Sequence, residues 1–533
     1  MNHRRTSHNM VTLLMLLALM AAPAQSAGSL PLPSPEATSS ITVRDLKKHL
    51  SFLASDELGG RYTLSPSNRI AARYLASQLE SYGFRGAASD GSFFQKVPLS
   101  IRSVDLSKSS VVINSGGTAN EFKYADDFAM LSPTDVNAVG GLVFVGYGIS
   151  SPKNKHDDYA GLDVSGRIAF AVSGLPDSLK GTALGDEEQA EQAALAHGAT
   201  GLIVVAPPQS LIAWKQLRDY LLHEDATLPP KPSASGKTLS TIFAGPALIK
   251  AMAAAIGVAE ADLTAPGGKP LKPAAVAATV AIRMKVDVKV APPAQNVVAI
   301  LEGSEPKLKD QYVVLSAHYD HLKTGDTGEV FNGADDDGSG TVAVLEIAQA
   351  FSIGPRPRRS VLVVFHTGEE MGLFGSEFNT DYEPVVPLEK LVADFNIDMI
   401  GRTRPPGDTD ARDKELTDRD SVYIIGADKL STELNTLSEQ TNADTARLRF
   451  DYTYNDEGHP QRFYYRSDHY NYAKHGIPII FYFTGVHRDY HRATDDVDKI
   501  DFDKMERIAR MVFATGWRVA NLDHRLVVDK KPR

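Results

Sequence analysis

No cysteine occurs among the 533 residues. Disulfides are therefore excluded, as is lipidation at a processing site, and a fold exported to an oxidising compartment must rest on its own core. Long apolar runs are lacking too. Val11 to Met20 is too short to span a bilayer comfortably, and nothing later reaches the length of a transmembrane helix. That run follows Arg4 and Arg5 and precedes the small-residue site Ala24-Gln25-Ser26, which is the arrangement of a secretory signal. Residues 1–27 are expected to be removed, leaving a secreted or periplasmic chain. Nor is there an excess of positive charge. The formal charge of −10 becomes −12 once Arg4 and Arg5 leave, because residues 1–27 carry no acid. That balance argues against nucleic acid and anionic membranes as partners. With 43% hydrophobic and 23% charged residues, the remainder has the composition of a soluble globular protein of two or three domains.

What is present concentrates between Val313 and Arg402. Val313–Ala317 is a β-rich run that delivers His318 and Asp320 at its C-terminal end. Asn332 to Gly340 holds an Asp triplet, Asp335-Asp336-Asp337, ahead of a helical pattern over Thr341–Phe351. Val361–Phe365 ends in His366-Thr-Gly-Glu369-Glu370, and Leu391–Ile397 ends in Asp398. Acids or histidines thus follow three apparent strands, where ligand sites of open α/β sheets lie.

Elsewhere the pattern organises without chemistry. Residues 28–40 are Ser/Pro-rich and expected to be a flexible lead-in. Helical patterns cover Val43–Asp56 and Ser65–Tyr82, and the Gly-containing segment Leu53–Arg61 between them is either a plain loop or part of a pocket. From Val136 onward, strands at Gly141–Ile149, Arg167–Val172 and Gly201–Val205 with a helix at Glu187–His197 make a small α/β module. It has no clustered metal ligands and no phosphate loop. Thr403–Asp420 reads as a charged surface loop, and Asp451–Tyr465 as either a pocket rim or a surface loop. Ile477–Phe483 is a last buried strand, followed by Thr484 to His491 and a closing amphipathic helix over Lys499–Asn521.

Imidazole with carboxylate and no thiolate is a ligand set suited to Zn, Mn or Co in a reactive site rather than to a structural zinc knot. A hydrolytic two-metal site needs about five ligands, one of them bridging, and a further free base. The sequence supplies that number.

Taken in order, His318-x-Asp320, Gly333-Ala-Asp-Asp-Asp-Gly-Ser-Gly340, Gly368-Glu-Glu370, Asn396-Ile-Asp398-Met and Asp489-Tyr-His491 resemble the co-catalytic di-zinc exopeptidases of metallopeptidase family twenty-eight. The resemblance runs over roughly 290–520, and Leu53-Ala-Ser-Asp-Glu-Leu resembles that family's N-terminal segment. Val145-Gly-Tyr-Gly-Ile149 and Tyr159-Ala-Gly-Leu resemble an inserted protease-associated (PA) domain. The resemblance implies an α/β fold with a mixed central sheet flanked by helices, of the zinc-exopeptidase type. Its peptidase domain would occupy 40–135 and 286–525, with a PA-type domain at 136–285. It also implies two Zn2+ per chain and a peptide substrate. His318 and Asp398 would hold one ion, Glu370 and His491 the other, with Asp336 bridging; Asp335 or Asp337 remain alternatives for the bridge. Glu369 would be the general base, Asp320 the partner of the other His318 ring nitrogen, and Tyr490 an oxyanion donor or a packed aromatic. Ser467-Asp468-His469 would line the site, while His321, His366 and His487 are expected to be structural. A secreted aminopeptidase is the function implied. A glutamate-carboxypeptidase-like enzyme, a single-zinc glutaminyl cyclase and a non-enzymatic receptor-like relative are the alternatives.

Overall fold

The β-rich runs form strands of one nine-stranded mixed sheet. Its order is Arg85–Gly86, Ala294–Leu301, Ser360–His366, Tyr312–His318, Leu391–Ile397, Ile479–Phe483, Ser421–Ile425 and Arg449–Asp451, with Phe94–Val97 also pairing onto Ala294–Leu301. The four strands from Ser360–His366 to Ile479–Phe483 run parallel, so their C-terminal ends share one edge. The computed structural model describes residues 30–531 apart from 131–132, 181, 183, 186, 207–213, 215–224, 230–238, 240 and 326. The signal expected at 1–27 lies outside the described residues.

Strand alternation sorts the core into two layers. Val313, Leu315, Val361, Val363 and Phe395 face the helices Val43–Leu53, Pro66–Ser81, Gly340–Ser352 and Phe502–Ala520. Val314, Leu362, Val364, Ile479 and Phe481 face the opposite way, onto Tyr464 and Tyr472. Helix Gly340–Ser352 is apolar on nearly every side because it lies between the sheet and Phe502–Ala520, where Phe351 and Phe513 meet edge-on at 4.9 Å. Each such aliphatic or aromatic side chain contributes about 1.5–3 kcal/mol on burial. A sheet covered on both faces needs near-continuous hydrophobic strands, as these are. Among the described residues no helix is long and apolar enough to cross a membrane.

The lead-in expected to be flexible is partly helical. Ser34 accepts a hydrogen bond from the Ala37 amide and Pro35 opens a helix over Pro35–Ser40, a capping pattern hidden by the Ser/Pro composition.

A second sheet of eight strands runs in the order Thr118–Lys123, Ser110–Ser115, Ala274–Met284, Val136–Phe144, Ile168–Val172, Gly201–Val205, Thr241–Ala244 and Phe128–Ala129. It therefore begins before residue 136. Val111, Ile113 and Phe122 point into its core, and the hairpin turning at Gly116-Gly117 joins the sheet through Ala274–Met284, more than 150 residues later. Pairing at that separation leaves no local trace in the sequence. Asp225–Thr227, Ser100–Val104 and Val286–Val290 form a three-stranded sheet, and Val97, Leu99, Ala226, Ala294 and Phe378 pack in one apolar cluster.

One acid interrupts the central strands. Asp394 is buried in Leu391–Ile397, where Ser316 Oγ donates to it at 2.7 Å. Burial, reinforced by Asp468 and only partly opposed by that hydrogen bond, pushes its carboxyl up to about 8. A folded value above the unfolded one gives stability that is full below the unfolded value and lost as pH rises through the folded one. Between about pH 4 and about pH 8, wild type should lose about 1.4 kcal/mol per pH unit relative to Asp394→Asn. Urea titrations of both proteins across that window check this; a constant gap between them would contradict it.

Candidate metal centre

The shared C-terminal edge gathers the polar residues that follow the strands. His318 ends Tyr312–His318, Asp398 directly follows Leu391–Ile397, Glu369 and Glu370 lie just past Ser360–His366, and His491 sits on the loop after Ile479–Phe483. His318 Nε2 lies 3.3 Å from Asp336 Oδ1, 3.6 Å from Asp398 Oδ1 and 3.8 Å from Glu369 Oε2. On the other side, His491 Nε2 is 3.1 Å from both Asp336 Oδ2 and Glu370 Oε2. The two oxygens of Asp336 thus face two separate clusters.

Local backbone explains why the middle aspartate occupies that position. Asp335 Oδ1 accepts from Ser339 Oγ and the Gly401 amide, while Asp337 Oδ1 accepts from the Gly340 and Met399 amides. Asp495 Oδ2 in turn accepts from the amides of Asp335 and Asp336. The outer two carboxylates fasten the turn and the central one is left facing the site. Gly340 is required here because a Cβ would lie 2.4 Å from Asp337 Oδ1 and 2.3 Å from the Ile397 carbonyl. His491 and Met399 both hold φ near +56°, a left-handed backbone that costs a non-glycine residue about 1 kcal/mol or more and clusters at functional sites.

Asp320 acts differently from expectation. The His318 Nδ1 contact is to its main-chain carbonyl at 3.2 Å, whereas its carboxylate stands 3.8 Å from that nitrogen. A carbonyl only accepts, so Nδ1 carries the proton and Nε2 is turned toward Asp336 and Asp398. The Asp320 carboxylate accepts instead from Thr63 Oγ1 and from the Glu369 amide. It positions the Glu369 backbone.

The electrostatics separate the neighbouring glutamates. Burial raises the Glu369 carboxyl well above its ordinary range, and Glu370, Asp398 and Asp468 add to this against the pull of His318. Glu370 is held below its range despite burial and the nearby Asp336, because the His321 and His491 imidazoles stand against its carboxylate and favour its charge. Burial also opposes charge on His318, but Glu369, Asp398 and Asp336 outweigh it and raise its pKa.

These donors suit a cation. Asp336 Oδ2, Glu370 Oε1, His491 Nε2 and both ring nitrogens of His321 are buried and make no hydrogen bond among the described residues, although ion-pair distances separate them. His318, Asp336 and Asp398 present ligand atoms within 4.8 Å of one another, and so do His321, Asp336 and Glu370. Converging buried carboxylates are costly unless a positive charge joins them, and mixed imidazole and carboxylate oxygens fit a divalent ion.

Residues 296–516 match the model of Peptidase family M28. Over these residues the chain is similar to that family. Aminopeptidase YwaD of Bacillus subtilis (strain 168) is 24% identical over 245 residues, spanning 45% of this chain and 46% of that protein. A probable zinc metalloprotease of Pyricularia oryzae is 27% identical over 279 residues, 45% of this chain and 52% of that protein. The chain thus spans about half the length of the curated relatives it matches. The structure of an aminopeptidase from Aneurinibacillus sp. strain AM-1 superposes with a TM-score of 0.53 at 20% identity, covering 93% of this chain and 99% of that one, which establishes a common fold.

At the shared strand edge, the five residues expected to ligate come together, and so does one that was expected to be structural. His321 Nδ1 lies 2.6 Å from Glu370 Oε1 and 3.7 Å from Asp336 Oδ2. Its signal was its place directly after Asp320, one helical turn's length of chain beyond His318. His366 is buried, lies 3.2 Å from the Tyr472 hydroxyl, and burial keeps it neutral, lowered to about 3. His487 pairs with Asp335 at 3.2 Å, behind the turn. Tyr490 stacks on the His491 ring at 3.9 Å and lines the cleft with Glu369 and Asp398. Ser467 accepts from Asn396 Nδ2, bracing the strand that ends in Asp398.

Segment Leu53–Arg61 belongs to this site rather than to a plain loop. The fully buried Arg61 guanidinium donates to the carbonyls of Leu53, Tyr319, Asn332 and Gly333, clamping the turns on both sides of the centre. Arg61→Met strands those carbonyls and is expected to remove about 3 kcal/mol or more of stability. A lowered urea midpoint would register the loss; an unchanged midpoint would show that the turns hold without the clamp.

Proposed function

We propose that this chain is a secreted co-catalytic di-zinc aminopeptidase in which Asp336 bridges the ions and Glu369 is the general base. The observation that carries this is the division of the Asp336 carboxylate, Oδ1 toward His318 and Oδ2 toward His491. His318, Asp398 and Asp336 would hold one ion, and Glu370, His491 and Asp336 the other. Bound there, the ions would supply Lewis-acid charge and lower the pKa of a shared water. The relatives' names, an aminopeptidase and a zinc metalloprotease, agree with this assignment.

The chain's own groups supply the rest. Glu369 stands beside His318 and lines the cleft with Asp336 and Asp398 without being needed to complete either cluster, so it would take a proton at the reacting water and return it to the leaving amine. Asp320 fixes the Glu369 backbone so that its carboxyl faces the cleft. Tyr490, at the cleft wall, would donate toward charge developing on the scissile carbonyl oxygen. The acids around the cleft suit a substrate's free amino end. A terminal carboxylate would call for paired arginine forks, and Arg402 and Arg488 are already committed to Asp489 and to Asp408 with Asp413. We further assign the eight-stranded sheet unit to a PA-type domain that shapes access to the cleft rather than adding chemistry.

Elemental analysis after zinc loading should approach two ions per chain. Glu369→Gln should lower turnover by about 10²- to 10⁴-fold with metal content intact, whereas Glu370→Gln should lose metal. The opposite pairing would exchange the roles of the two glutamates, and saturation at one ion would favour a cyclase-type site. The direction of cleavage is tested with one peptide in unblocked, amino-acetylated and carboxy-amidated forms. Hydrolysis should survive amidation and stop on acetylation; the reverse pattern would overturn the aminopeptidase assignment.

A further inference from the structure

Asp336, Glu369 and Asp398 open onto a small recess that is also lined by Met399, Phe463, Phe481 and Phe483, together with Tyr490 and Arg466. Arg466 is the one cation in that lining, and its charge acts on the Tyr490 phenol. Arg402 and Arg488 are neutralised by carboxylates, and Arg462 lies over the Tyr465 ring at 4.8 Å. Arg466 stacks over the Phe463 ring at 4.7 Å, remains exposed, and has no carboxylate partner among the described residues.

Stacking fixes the plane of the guanidinium and leaves its edge donors free, which is the disposition that grips a carboxylate. Its backbone is fixed as well. The Arg466 amide donates to the Phe463 carbonyl at 3.1 Å, and the next residue, Ser467, is buried against Asn396. A recess with apolar walls and a single cation complements a side chain with an apolar stem and an anionic end. Near Glu369 and Asp398 such an anion would be repelled if no cation stood opposite it.

We propose that Arg466 is a specificity-determining residue that makes this site prefer substrates with an acidic amino-terminal residue, glutamate above all. This rests on the aminopeptidase assignment above: the side chain entering the recess is the one adjoining the scissile carbonyl.

The test compares kcat/KM of the zinc-loaded full chain on the p-nitroanilides of glutamate, glutamine and leucine, with Arg466→Met and Arg466→Lys beside wild type. Wild type should favour glutamate over glutamine by about tenfold or more, since a charged hydrogen bond in a partly desolvated site discriminates on that scale. Arg466→Met should abolish that ratio while leaving the leucine-to-glutamine ratio within about twofold, and Arg466→Lys should keep part of the preference, because Lys retains the charge without the fork. The proposal is overturned if wild type favours glutamine or leucine over glutamate, or if Arg466→Met slows all three amides by one common factor. In either case, continued cleavage of the amides leaves the aminopeptidase assignment standing. If none of the three amides is cleaved by metal-loaded protein, that assignment falls first and the preference with it.

Discussion

The carboxylates of Asp336, Glu369, Glu370 and Asp398 converge in a space from which water is largely excluded, and the surrounding structure exists to hold them there. Isolated buried charge is among the most expensive arrangements a fold can contain. Imidazoles from His318, His321 and His491 stand directly against these oxygens at 2.6–3.8 Å. Mutual repulsion would otherwise spread the carboxylates apart, so their positions have to be enforced from behind.

That enforcement comes from neighbouring polar groups that never face the cleft. Asp335, Asp337 and Asp495 fasten the turn through main-chain amides, and Arg61 fastens the adjoining turns through main-chain carbonyls. Arg402 ties Asp489 at 2.7 Å and lies 3.5 Å from Asp495, so the loop bearing His491 is anchored to the turn bearing Asp336. The two halves of the centre are thereby one mechanical unit. Rigid backing of this kind holds closely spaced ligand groups in a fixed geometry.

The parallel strands were legible because each is a continuous apolar run bounded by turn residues, and the ligand residues were legible because they follow those runs. The choice of Asp336 over its neighbours was not; only the turn's hydrogen bonds distinguish three adjacent identical side chains. Asp320 was expected to partner His318 through its side chain, yet its carboxylate serves Thr63 and Glu369, since partner choice depends on where distant chains arrive. His321 looked like an ordinary core histidine, and Arg61 like part of a polar loop. Both act through residues about 50 to 270 positions away. The start of the second sheet was misplaced for the same reason, as its first hairpin pairs with a strand from the far end of that unit.

The sequence by itself determined the apolar strands, the order of the acids and histidines after them, and the absence of thiol chemistry, because these follow from local composition and spacing. Tertiary structure alone decided which oxygen of Asp336 meets which histidine, that His321 joins Glu370, and that Arg466 lines the cleft with no carboxylate partner among the described residues. Those outcomes depend on the angle at which separate strands and loops meet, and a one-dimensional pattern carries no record of such angles.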